Sequence, residues 1–148
     1  MRQNFYRAAG AAVLALVLLT IVPASRLYAI DSNNRYFAYG MGQRSCADYI
    51  KFREKKLETL EQNNPRYTKD ELYEIVDKVV EHWMAGFLTA HDLYVADTYN
   101  VAGNTTMDAM KGQIEGICRA NPKQYFAEAM VTLVQRLNPA RVATDPGK

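Results

Sequence analysis

Imidazole and thiol are scarce in this chain of 148 residues, which holds two histidines, His82 and His91, and two cysteines, Cys46 and Cys118. The short Cys-x-x-Cys knuckles of structural zinc sites are missing, which argues against a metal site. Nine residues apart on one helix, the two histidines point to opposite sides and cannot share a proton relay. His91 beside Asp92 is the one acid-base pair, and such pairs arise readily at helix ends without chemistry. Basic runs are equally sparse. Lys55-Lys56 is flanked by Glu54 and Glu58, so nothing supplies the electrostatic footprint of a nucleic-acid binder. There is no strand run and no internal repeat. These absences point away from an enzyme and imply no catalytic residue, cofactor or metal.

What is present begins with an address. Arg2 and Arg7 precede an uncharged apolar run over residues 8–22, and small residues allow cleavage after Ala24 or Ala29. Residues 1–29 read as an export signal. The alternative, an uncleaved anchor, needs ~20 apolar residues, whereas Pro23 and Arg26 end this run early. Removing Arg2, Arg7 and Arg26 takes the 18 basic residues to 15 against 16 acidic ones, a formal charge of −1. No charge argument for an anionic membrane surface survives cleavage. Export to an oxidising compartment, here the periplasm, predicts a Cys46–Cys118 disulfide.

Residues 30–44 mix turn formers with Tyr36, Phe37 and Tyr39, and read as an aromatic arm. Ser45 and Asp48 open a first helix to about residue 61, with Cys46, Tyr49, Ile50, Leu57 and Leu60 in one stripe and Arg53 at its edge. After a turn at residues 62–67, Thr68 and Glu71 cap a long second helix over residues 68–92. Its Leu72, Ile75, Val76, Val79, Trp83, Gly86, Phe87 and Ala90 share a face that Val80, Met84 and Leu88 widen, so the helix is expected to be surrounded. Gly86, one turn after Trp83, is expected to admit a neighbouring backbone. Residues 91–104 lack a helical period, and their apolar content predicts a loop folded back onto the bundle. Thr105 and Asp108 open a third helix with Met107, Met110, Ile114, Ile117 and Cys118 inward. Asn121, Pro122 and Gln124 carry the N-cap pattern of a fourth, whose Phe126, Ala129, Met130, Leu133 and Leu137 share one face. Asn138-Pro139 stops it, and residues 139–148 read as a flexible tail. The expectation is an all-α fold, a small four-helix bundle with one disulfide, over residues 45–138.

Cys46 opening a helix, Trp83-x-x-Gly86-Phe87-Leu88 late in a long one, and Cys118-x-x-Asn121-Pro122 followed by Ala129 and Leu133 together resemble a signature of small exported proteobacterial helical proteins. The resemblance covers residues 45–137. Ala90 and Asp92 stand where that group has a small glycine and an asparagine. The group is placed near HdeA-type periplasmic acid-stress chaperones and near immunity proteins that neutralise effectors of type VI secretion. The resemblance thus implies an exported, disulfide-bonded protein that binds another protein. Trp83, Gly86, Phe87, Asn121 and Pro122 would be packing residues, because nothing in the motif is chemical.

Two functions of different class follow as expectations. One is a non-catalytic periplasmic protein-binding protein, chaperone-like or immunity-type, whose partner is a client chain or one specific toxin. The other is a structural or accessory subunit of an envelope assembly held by an uncleaved anchor. For the first, Tyr94 and Tyr99 in the loop at 92–104, with Tyr36, Phe37 and Tyr39 in the arm, are the expected contact residues, since tyrosine is favoured at interfaces and no helical period explains these.

Overall fold

The computed structural model describes residues 36–56 and 58–147. The expected signal at residues 1–29 and the stripe residue Leu57 lie outside them. The chain divides into an N-terminal unit, Met1–Phe37, and a body, Ala38–Lys148. Tyr36 and Phe37 are the described residues of the first unit, and both are exposed.

The body is all-α. Its helices are α1 (Cys46–Arg53), α2 (Glu58–Asn63), α3 (Lys69–Tyr94), α4 (Met107–Ala120) and α5 (Phe126–Leu137), with short 3-10 turns at Gly40–Gln43 and Asn138–Ala140. The expected first helix is therefore broken in two. Lys55 takes a left-handed φ of 52°, and Lys56 N–H reaches back to the Lys51 carbonyl at 2.8 Å, a helix-ending geometry in which glycine is the usual residue. With lysine there, the sequence carries no stop signal.

Thr68 and Glu71 form the expected capping box of α3, and the helix continues to Tyr94, past the expected end at residue 92. Thr106 caps α4, one residue later than expected, by accepting from Ala109 N–H at 3.3 Å. The start of α5 moves further. Asn121 and Pro122 do not open it; Asn121 closes α4, and Tyr125 caps α5. The turn between them serves α1 instead, because Gln124 and Pro122 carbonyls accept Cys46 and Ala47 N–H, both at 2.9 Å. Those are unpaired donors of a helix N-terminus, so residues 121–124 cap a helix distant in sequence.

A disulfide joins Cys46 to Cys118, with Cα atoms 4.8 Å apart, and pins the start of α1 to the end of α4. Around it runs a chain of ring contacts: Tyr73 stacks on Phe52 at 5.8 Å, and Tyr49 meets Phe52 at 6.2 Å and Phe126 at 5.0 Å. Trp83 then meets Phe126 at 5.5 Å and Phe87 at 5.7 Å. These contacts cross α1, α3 and α5, and pairs of this geometry contribute ~0.5–1.5 kcal/mol each beyond their burial.

The long helix is not surrounded. Its core side is Tyr73, Val80, Met84 and Leu88, with Val76, Trp83 and Phe87 packed against it. Ile75, Val79, Gly86 and Ala90 face outward. Both stripes are apolar, but the buried one gathers the larger side chains and so removes more surface from water. Gly86 accordingly admits no close neighbour, since a Cβ there would meet nothing within 4 Å. The close approach occurs at Gly42, where a Cβ would overlap Trp83 Cζ2. The segment after Pro139 is tied down as well: Val142 pairs with Asn100, and Arg141 Nε donates to the Asp97 carbonyl at 2.9 Å.

Candidate interaction surface

The segment between α3 and α4 does two things at once. Val101 is fully buried and Thr98 nearly so, while Val101 N–H donates to Asp92 Oδ1 at 2.9 Å. Half the loop is thereby packed. Tyr94, however, is 88% exposed and Tyr99 52% exposed, with Leu93 at 73% beside them. Asp92 and Val101 anchor the backbone from which these side chains project.

A second apolar surface runs along α3. Ile75 (47% exposed) and Val79 (54%) stand one turn apart, then His82, Gly86, Ala90 and Leu93 continue the same face by steps of three and four. Its N-terminal half borders a shallow groove of about 510 Å³ lined by Tyr67, Glu71, Glu74, Ile75, Lys78, Val79 and His82. Beyond His82 the face carries no charge, and Gly86 and Ala90 on it are small.

Other expected site residues fall elsewhere. Trp83 and Phe87 are half-buried core residues, whereas Asn121 and Pro122 are exposed and act through their backbone. Tyr39 is exposed, but its carbonyl accepts from Trp83 Nε1 at 2.8 Å, three turns of α3 before Tyr94. That is ~16 Å along the axis, so Tyr39 and Tyr94 do not form one patch. His91 Nδ1 lies 3.6 Å from Asp92 Oδ1, beyond hydrogen-bond distance, and that oxygen serves Val101 instead. The pair is a loop anchor with an imidazole next to it.

Sequence reasoning missed the polar centre of the body. Lys111 is 4% exposed, and its ammonium donates to Asp77 and Glu81 of α3, both at 2.8 Å, and meets Asp108 at 3.1 Å. Burial alone would depress the Lys111 pKa, but the three carboxylates outweigh it and hold the pKa above the ordinary value. Hydrogen bonds from Lys111 and Lys78 bring Glu81 down to about 2. Arg53 extends the network, with Nε 3.4 Å from Glu115 and Nη1 3.6 Å from Asp77. Arg53, at the edge of its stripe, thus meets carboxylates of α3 and α4. Beneath, Tyr49 OH donates to the Lys111 carbonyl at 3.2 Å, and burial pushes its phenol up to about 12. A signal existed: Lys111 falls in the inward stripe of Met107, Met110, Ile114 and Cys118, one turn after Asp108, and Asp77 and Glu81 are four residues apart.

Among the described residues no group of three or more His, Cys, Asp and Glu side chains is placed to hold a metal, and no helix is long and apolar enough to cross a membrane. The Cys46–Cys118 disulfide is consistent with an oxidising, exported compartment. Compared with known proteins, the chain matches no family model, no curated protein and no solved structure.

Proposed function

We propose that this is a non-catalytic periplasmic protein-binding protein that recognises one protein partner through the end of α3 and the loop after it. The observation that carries the reading is the division of labour within residues 92–101. Val101, Thr98 and Asp92 fix the backbone, while Tyr94 and Tyr99 are held out into solvent. Large amphipathic rings on a rigid frame lose little entropy on binding, which favours specific recognition over general stickiness.

A fixed patch on a disulfide-bonded core fits the immunity-type reading, in which one toxin is bound at neutral pH. The chaperone-like reading draws its support from the Lys111 cluster, because protonating carboxylates around a buried ammonium loosens α3 from α4 in acid. Capture of a partner from periplasm at neutral and at acid pH separates them. Capture of one species at neutral pH supports the first, and capture of many species only in acid supports the second. The accessory-subunit alternative requires residues 1–29 to be retained, which N-terminal sequencing of the purified protein decides.

A further inference from the structure

We infer that Arg141 and Val142 form a latch that positions Tyr99 independently of Tyr94. This rests on the partner reading and divides its surface into a fixed half and a latched half. Tyr94 is the last residue of α3, so the helix places it. Tyr99 has no such support. It follows Asp97, which takes a left-handed φ of 54°, a conformation uncommon outside glycine. Arg141 holds that bend: its Nε donates to the Asp97 carbonyl at 2.9 Å while its Nη1 donates to the Asn138 carbonyl at 3.1 Å. The Val142 carbonyl then accepts Tyr99 N–H at 2.9 Å and Asn100 N–H at 3.0 Å, and Val142 N–H returns to the Asn100 carbonyl at 2.9 Å.

Asn100 carries the contact into the rest of the loop, since its Oδ1 accepts Ala102 N–H at 3.0 Å and its Nδ2 donates to the Gly103 carbonyl at 3.2 Å. Gly103 in turn lies so close to the segment after α5 that a Cβ on it would stand 2.7 Å from the Ala140 carbonyl. Val101 is secured differently, by full burial and by its bond to Asp92 Oδ1. Opening the latch therefore frees Tyr99 and leaves Tyr94 and Val101 in place. A tyrosine released in this way must be ordered again when a partner binds, and that ordering weakens affinity. Recognition is thus tuned from residues that need not touch the partner.

Amide hydrogen exchange on the full chain tests the latch. Arg141→Ala/Val142→Pro removes the guanidinium and the Val142 donor. Arg141 already has the extended backbone (φ −62°, ψ 151°) favoured before a proline, so the lost bonds, and not strain at residue 141, are what is read. Tyr99 and Asn100 N–H should exchange ~10-fold or more faster than in the parent, with Val101 N–H and the melting midpoint nearly unchanged. Unchanged exchange at Tyr99 and Asn100, or an equal acceleration at Val101, would overturn the latch. Capture of the periplasmic species that the parent retains at neutral pH gives a second readout. Tyr99→Ser should weaken that capture in the parent and add nothing in the latch variant, whereas Tyr94→Ser should weaken it in both. A Tyr99→Ser effect of equal size in parent and latch variant would also overturn the inference. If neither serine substitution alters capture while exchange opens as expected, the partner reading falls and the latch on Tyr99 stands.

Discussion

The indole of Trp83 lies against Gly42 so closely that a side chain on the glycine would occupy the position of Cζ2, while Nε1 donates to the carbonyl of Tyr39 at 2.8 Å. This one residue therefore clamps the turn at Gly40–Gln43 onto α3 and α5. Gly42→Ala should destabilise by ~1–3 kcal/mol through overpacking. In contrast, Gly86→Ala should stabilise dilute protein by ~0.5–1 kcal/mol, because alanine is the better helix former and the site is open. Denaturant melts of the two variants check both signs.

The Lys111 cluster makes stability depend on acid. Glu81 is held at about 2 in the folded chain against an ordinary 4.5. A carboxyl with a depressed folded pKa contributes stability that is fully present above the unfolded value and is lost as pH falls through the folded one. The melting midpoint should thus fall between about pH 4.5 and 2. Glu81→Gln should flatten this slope, and thermal melts across that window measure it.

Removing the cation should cost more than removing one carboxylate. Lys111→Met keeps the volume but leaves Asp77 and Glu81 facing each other, partly buried, without their shared partner. The expected loss is ~2–3 kcal/mol, less than for a fully buried pair because both carboxylates keep some solvent. Replacing Asp77 and Glu81 by Asn and Gln in the same variant should restore part of it. Urea melts of the single and triple variants give the difference.

The Cys46–Cys118 bridge closes a loop with a sequence separation of 72. On the chain-entropy account it should stabilise by ~4 kcal/mol, a large share of a small domain's margin. Since both cysteines are in the bridge, thiol titration of denatured, unreduced protein should find no reactive group. Cys46→Ala/Cys118→Ala protein should melt well below the oxidised form.

Helix content, the disulfide and most inward positions could be read from periodicity and from cap residues. Phe126, Ala129, Met130, Leu133 and Leu137 are all buried as their spacing requires. The misreadings share a physical cause, which is that tertiary partners override local signals. Asn121-Pro122 carries a helix-start pattern, yet the Pro122 and Gln124 carbonyls are taken by α1. α3 carries two apolar stripes, so its wheel could not say which of them the larger rings of Tyr49, Phe52 and Phe126 would claim. Lys111 was legible only as one member of a stripe, because its carboxylate partners lie on another helix. The exposed tyrosines were visible in the sequence, but not the distance between Tyr39 and Tyr94.

On the proposed function Tyr94 and Tyr99 contact a partner and do not merely cover the end of the body. Replacing both with serine, then comparing partner capture and melting temperature with those of the parent, tests it most directly. Capture should fall by ~10-fold or more, as for loss of interface hot spots, with a nearly unchanged melt. A large drop in melting temperature with unaltered capture would contradict it.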